Sequence, residues 1–156
     1  MKRLYRQQHL VDFMAVVMQF TRIKIKWSFF SDEAPDLKRA CWAFPLAGWL
    51  LGFIAGGLGQ ILILMDLPVI LGCAIAIAFC IYLSGAYHED GLADMADGFG
   101  AGGDGRRISN IIHDSRLGTY GVSALSLAII VRILLVSSLV AVSYTHLRAH
   151  ETLTDL

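Results

Sequence analysis

Asp90, Asp94 and Asp97 stand at i, i+4 and i+7 in the stretch His88-Glu89-Asp90-Gly91-Leu92-Ala93-Asp94-Met95-Ala96-Asp97-Gly98. On a helix, at about 100° per residue, the second and third fall about 40° and −20° from the first. The three carboxylates then share one narrow face, spread over roughly 10 Å. Like charges so placed repel one another and weaken an isolated helix. A hard divalent cation resolves the repulsion: Mg²⁺ takes oxygen ligands and is often held by one or two carboxylates together with substrate phosphates. Asp90, Asp94 and Asp97 are therefore candidate metal ligands and catalytic residues.

The residues that follow extend the same chemistry. Between 88 and 119 lie six acidic and three basic side chains. Gly98-Phe99-Gly100-Ala101-Gly102-Gly103-Asp104-Gly105 permits positive φ and close backbone approach to a ligand, Gly98 and Gly100 included. A flexible linker is the plainer reading of that glycine content, and with no Gly-Lys-Ser/Thr after it the stretch is not a P-loop. Arg106 and Arg107 open a short amphipathic segment with Ile108, Ile111 and Ile112 on one side. It ends in His113-Asp114-Ser115-Arg116-Leu117-Gly118-Thr119-Tyr120-Gly121. Arg116 suits bidentate phosphate recognition. Asp114 can serve as a fourth ligand or orient Arg116, and Ser115 and Thr119 can donate to phosphate oxygens. Singly, each is more often a cap or a surface residue. Together they fit metal-assisted transfer of a phosphorus group from a diphosphate.

The elements that must position these residues are membrane helices. The chain of 156 residues is 56% hydrophobic and only 17% charged, with net charge +0 and mean hydropathy +0.59; a soluble domain ordinarily carries more charge. Neither the charge balance nor any motif points to nucleic acid. No charge occurs from Ala40 to Met65, nor from Pro68 to Tyr87, and each run approaches or exceeds the roughly 20 residues a bilayer span needs. Gly48, Gly52 and Gly56 form a small-xxx-small face that would let a neighbouring helix approach. A third run, from Tyr120 to about Val142, carries Arg132 near its middle. A lone mid-span arginine faces a bundle interior or polar cavity, or else snorkels. Leu10 to Phe20, broken by Asp12 and Gln19, reads as an interfacial or re-entrant helix. The expected fold is all-α: a polytopic membrane bundle of about three spans.

Eight basic residues lie within residues 1–40 and none in the Asp66–Pro68 turn. The positive-inside rule then puts the N-terminus and the 88–119 loop in the cytoplasm. Cys41, Cys73 and Cys80 all fall in apolar runs without CxxC spacing, and read as small hydrophobes. After Val142 the chain turns polar and aperiodic, and resembles a translated adapter sequence. The expected division is 1–142 as the N-terminal part of one membrane transferase domain and 143–156 as a non-native tail, so His146 and His150 receive no role.

The 88–98 motif and the 114–121 motif, set between spans, closely resemble those of the adenosylcobinamide-GDP ribazoletransferase (cobalamin synthase) family. Phe44-Pro45-Leu46-Ala47-Gly48 with Leu51-Gly52 looks like that family's first span, and Phe20-Thr21-Arg22-Ile23 like its N-terminal segment. The likeness covers roughly residues 10–142. It implies an integral inner-membrane enzyme of the last steps of cobalamin assembly. Such an enzyme joins adenosylcobinamide-GDP to α-ribazole or its 5′-phosphate, with Mg²⁺, and releases GMP. Its partners would be those two substrates, the lipid bilayer, and further copies of itself or other cobalamin-assembly enzymes. The resemblance implies that Asp90, Asp94 and Asp97 hold Mg²⁺ against the diphosphate, while Arg116, with Arg106 and Arg107, offsets charge on the leaving GMP. His88 is then a general base, a substrate hydrogen-bond partner, or a structural histidine at the membrane boundary. Met95, Lys24 and Gly103 depart from the residues common in the family, whose members are also considerably longer.

Two other classes share part of the pattern. CDP-alcohol phosphotransferases align aspartates on a membrane helix, but open with Asp-Gly-x-x-Ala-Arg; here Asp94 follows Ala93. A cation-coupled transporter would place its carboxylates inside a span, whereas these lie between spans.

Overall fold

The computed structural model describes residues 2–24, 26, 35–114 and 116–154, with side chains described from Gln8 to Ser143. Those residues form six α-helices and one 3₁₀ turn, with no strand among them. Helix α1 spans Lys2–Phe20; after a 3₁₀ turn at Arg39–Ala43 come α2, Phe44–Leu64, and α3, Val69–Ser84. Then follow α4, Tyr87–Ala101, α5, Gly105–Ile112, and α6, Thr119–Thr154.

The all-α membrane architecture expected from the apolar runs is present. Two helices are long and apolar enough to cross a membrane, one over Arg39–Leu64 and one over Thr119–Ser143. Helix α2 starts where Pro45 occupies its first turn, the position at which a missing N–H costs nothing. Its outer face exposes Trp49 and Phe53 at 68% and 67%, and such a surface requires an apolar surround.

The second apolar run, Pro68 to Tyr87, is not one straight span. Helix α3 holds 16 residues, about 24 Å at 1.5 Å rise. Gly85 ends it in the left-handed region at φ 70°. The Ala86 N–H donates to Ile81 O and the Gly85 N–H to Tyr82 O, the bonds of a Schellman cap. Ala86, also at positive φ, starts α4 at 88° to α3, so the pair makes a third crossing only if taken as one bent span. The loop expected to follow is thus itself mostly helical.

Helix α2 packs through different small residues from those expected. Gly48, Gly52 and Gly56 have open space where a Cβ would stand. The buried small residues lie one residue earlier, at Ala47, Ala55 and Gly59; of these Ala47 packs toward α1 and Gly59 meets α3. A Cβ on Gly59 would come within 2.9 Å of Ala76 Cβ and 3.0 Å of Gly72 O. Offsetting a helix stripe by one residue turns it by about 100°.

Helix α1 is not among the candidate spans. It buries Val16 and Val17 against Ala40, Ala43 and Ala47, with Phe13 and Phe20 at the margin. Its buried Asp12 accepts from Arg39 Nε at 3.0 Å and Nη2 at 2.8 Å. Burial pushes the Asp12 carboxyl up, but hydrogen bonds from Arg39, Trp42 and Gln8 outweigh it and hold the carboxyl below its ordinary range. The three cysteines are free. Helix α6 continues to Thr154, so no break in the backbone marks residue 142.

Candidate active site at the α4 elbow

The bend at Gly85–Ala86 lays α4 against α5 and α6. Glu89 and Asp90 occupy its first turn, where the helix dipole favours negative charge. Along that side a cavity of about 380 Å³ opens, and its lining includes Glu89, Asp90, Asp94, Asp114 and Arg116. The 90–97 segment is helical as expected, and it brings Asp90 and Asp94 to one cavity.

Asp97 does something else. Its carboxylate is buried and turns to the start of α6, accepting from Gly118 N at 2.7 Å and Gly121 N at 2.8 Å. The first amides of a helix have no partner within it; here one carboxylate from another helix takes two of them. A Cβ at Gly118 or Gly121 would collide with that carboxylate, so the glycines of the 114–121 motif make room for the cap. Among the described residues no group of three or more His, Cys, Asp or Glu side chains stands close enough to hold an ion. The three-carboxylate set expected from the spacing is therefore not assembled; Asp90 and Asp94 remain.

Asp114 is paired with Arg116. Arg116 grips it through Nη2 at 2.6 Å and Nε at 3.0 Å on Oδ2. That hydrogen bonding holds the Asp114 carboxyl below its ordinary range and raises the Arg116 guanidinium. Arg116 stays 88% exposed, free on its outer edge to meet an anion.

The other expected site residues are placed apart from this cavity. His88 faces away from the aspartates: its ring stacks on Phe20 at 5.9 Å and meets Tyr87 edge-on. It lines a small apolar cavity with Phe44, Ala47, Gly48 and Leu51. Gly98 and Gly100 lie inside α4 and serve packing. A Cβ at Gly98 would meet Ile112 Cγ1 at 2.6 Å, and one at Gly100 would strike the Tyr120 ring. Of the glycines from 98 to 105, only Gly102 and Gly103 take positive φ. Arg106 and Arg107 are exposed on the first turn of α5, which Asp104 caps by accepting from Arg107 N at 2.9 Å. Thr119 is the exposed first residue of α6, and Ser115 lies outside the described residues.

One site residue was missed. Glu89 lines the cavity and accepts from Arg132 Nη1 of α6 at 2.7 Å. The signal was available: an arginine amid an apolar run needs a partner, and Glu89 is the extra carboxylate in the aspartate motif.

The sequence model of the cobalamin-5-phosphate synthase family matches residues 12–154. Curated relatives include the adenosylcobinamide-GDP ribazoletransferases of Azorhizobium caulinodans and Xanthobacter autotrophicus. They are 38% and 37% identical over 138 and 133 residues, which is 87% and 83% of this chain but 52% and 50% of theirs. The Ralstonia pickettii enzyme of the same name is 38% identical over 135 residues, 85% of this chain and 52% of its own. The chain thus spans about half the length of the curated relatives it matches. No solved structure matches it.

Proposed function

The chain belongs to the cobalamin-5-phosphate synthase family, and from that premise we propose that the protein carrying these residues transfers adenosylcobinamide phosphate from adenosylcobinamide-GDP to α-ribazole or its 5′-phosphate. A ribazole hydroxyl oxygen bonds to the cobinamide-side phosphorus and gives up its proton. The bridging P–O bond breaks, and GMP leaves with that electron pair.

The observation that carries this reading is the elbow cavity, where Asp90 and Asp94 face an exposed Arg116. Two carboxylates without a third are a poor cage for a bare ion. They suit Mg²⁺, which dehydrates reluctantly and fills its shell with waters and substrate phosphates. Asp90 and Asp94 would hold the ion, which when bound offsets charge on the diphosphate. Asp114 fixes the Arg116 fork, leaving its outer N–H groups to bind phosphate oxygens and stabilise the charge that gathers on GMP. The basic residues of 1–40 support a site on the cytoplasmic face of the inner membrane.

The test is GMP release from adenosylcobinamide-GDP and α-ribazole by the full-length protein in lipid vesicles, with and without Mg²⁺. Turnover is expected only with Mg²⁺, and Asp94→Asn should abolish it while membrane insertion stays intact. Normal turnover by that variant refutes the metal assignment, and substrate transport without GMP release refutes the transferase.

A further inference from the structure

Glu89 presents an unusual combination. Its side chain is 11% exposed, and Oε1 is taken by Arg132 Nη1 at 2.7 Å. Its second oxygen, Oε2, is buried with no hydrogen-bond partner, and among the described residues no other buried side-chain nitrogen or oxygen is left so. The residue lines the elbow cavity beside Asp90 and Asp94. A buried carboxylate oxygen without a partner is expensive, and native structures seldom keep one without a use.

The chemistry of the pair restricts that use. Glu89 and Arg132 together are neutral, so the unpartnered oxygen needs a hydrogen-bond donor and no further charge. Phosphoryl oxygens, which only accept, are repelled by it. A second cation is disfavoured by the guanidinium on the same carboxylate. What remains is a neutral O–H or N–H donor. In the reaction proposed above, the group that must approach the diphosphate is a nucleoside hydroxyl.

We infer that Glu89 Oε2 accepts a hydrogen bond from a ribose hydroxyl of the nucleoside substrate, and that Arg132 is the positioning residue that aims it from the middle of α6. The inference rests on the ribazoletransferase reading for the identity of the nucleoside. Placed so, the hydroxyl comes to the same cavity as Asp90, Asp94 and Arg116.

Equilibrium binding of α-ribazole to the detergent-solubilised full-length protein tests this without turnover. Glu89→Gln keeps an oxygen for Arg132 but turns a donor toward the ligand. It should weaken α-ribazole binding about 10- to 100-fold, the loss expected for a hydrogen bond to a charged group. Arg132→Gln should follow it, whereas Arg132→Lys should recover most of the affinity. Ribazoles lacking each ribose hydroxyl in turn, bound to the unaltered protein, provide a version that needs no variant to fold. One of them should lose a similar factor, and Glu89→Gln should no longer distinguish it from α-ribazole. In turnover, Glu89→Gln should raise KM for α-ribazole and leave KM for adenosylcobinamide-GDP within about twofold. Undiminished α-ribazole binding by Glu89→Gln, equal binding of every deoxy analogue, or a shifted Mg²⁺ requirement with unchanged nucleoside KM would overturn the assignment. Glu89-dependent α-ribazole binding without any GMP release would leave it standing and remove the transferase reading instead.

Discussion

Replacing Asp97 separates two roles that its place in the motif runs together. Asp97→Ala removes two hydrogen bonds to a charged acceptor, from Gly118 N and Gly121 N, each contributing about 1.5–3 kcal/mol. The favourable charge at the α6 N-terminus adds about 0.3–1 kcal/mol. Because both bonds share one carboxylate they are not additive, and the expected loss is about 2–4 kcal/mol. For a chain of this size, at about 2–4 °C per kcal/mol, the melting temperature should fall by about 5–15 °C. Asp97→Asn should fall less, since its amide keeps one acceptor but sets an NH₂ against the other N–H. Circular dichroism melting in detergent reads the stability, and calorimetric titration with Mn²⁺ reads ion binding. Both Asp97 variants should bind Mn²⁺ like the unaltered protein while folded, whereas Asp90→Asn and Asp94→Asn should bind it more weakly. An Asp97→Ala protein that melts within about 1 °C of the original and has lost Mn²⁺ binding would refute the cap.

Three further outcomes follow from the packing. Asp12→Asn should cost about 1–3 kcal/mol, below the range for a fully buried pair because Arg39 is half exposed. The Asp12 carboxyl is lowered from 3.8, so its contribution is complete above that pH and is lost as pH falls through the folded value. Acid melting curves below about pH 4 should accordingly flatten in the variant. Gly52→Ala, with open space at its Cβ, should stabilise α2 by about 0.5–1 kcal/mol. Gly59→Ala meets Ala76 and Gly72 and should destabilise by about 1–3 kcal/mol; detergent melts that show the same sign for both would contradict the α2–α3 contact. His88→Phe, which keeps the stack on Phe20, should retain GMP release within about tenfold, whereas loss of a general base costs about 10²–10⁴-fold.

What the sequence reveals here depends on whether a residue acts through its own element or through another. The apolar runs that became α2 and α6, the helical aspartate face and the Asp114–Arg116 pair are local, and periodicity or near-neighbour chemistry was enough to find them. Asp97 shares its helix face with Asp90, but its partners lie 21 and 24 residues on, so helical phase could not separate ligand from cap. The glycines misled for the same reason. Gly98 and Gly100 looked like loop because glycine frees the backbone, yet here they admit Ile112 and Tyr120 to a helix surface. The buried small residues of α2 lay one residue from the visible Gly-x-x-x-Gly pattern, since buried alanines served the packing as well as glycine. Arg132 announced the need for a partner, and only the fold of α4 over α6 named Glu89.

Helix α4 is fastened to α6 at two places, through Glu89 near one end and Asp97 toward the other. Eight residues and about 12 Å of helix separate the fastenings. One extra residue between them would turn everything beyond it by about 100°, and both could not then close. Side chains that point off this face, such as Met95 at 49% exposure, can change freely. The number of residues from 89 to 97 cannot, because that count is the ruler by which Asp90 and Asp94 meet the cavity.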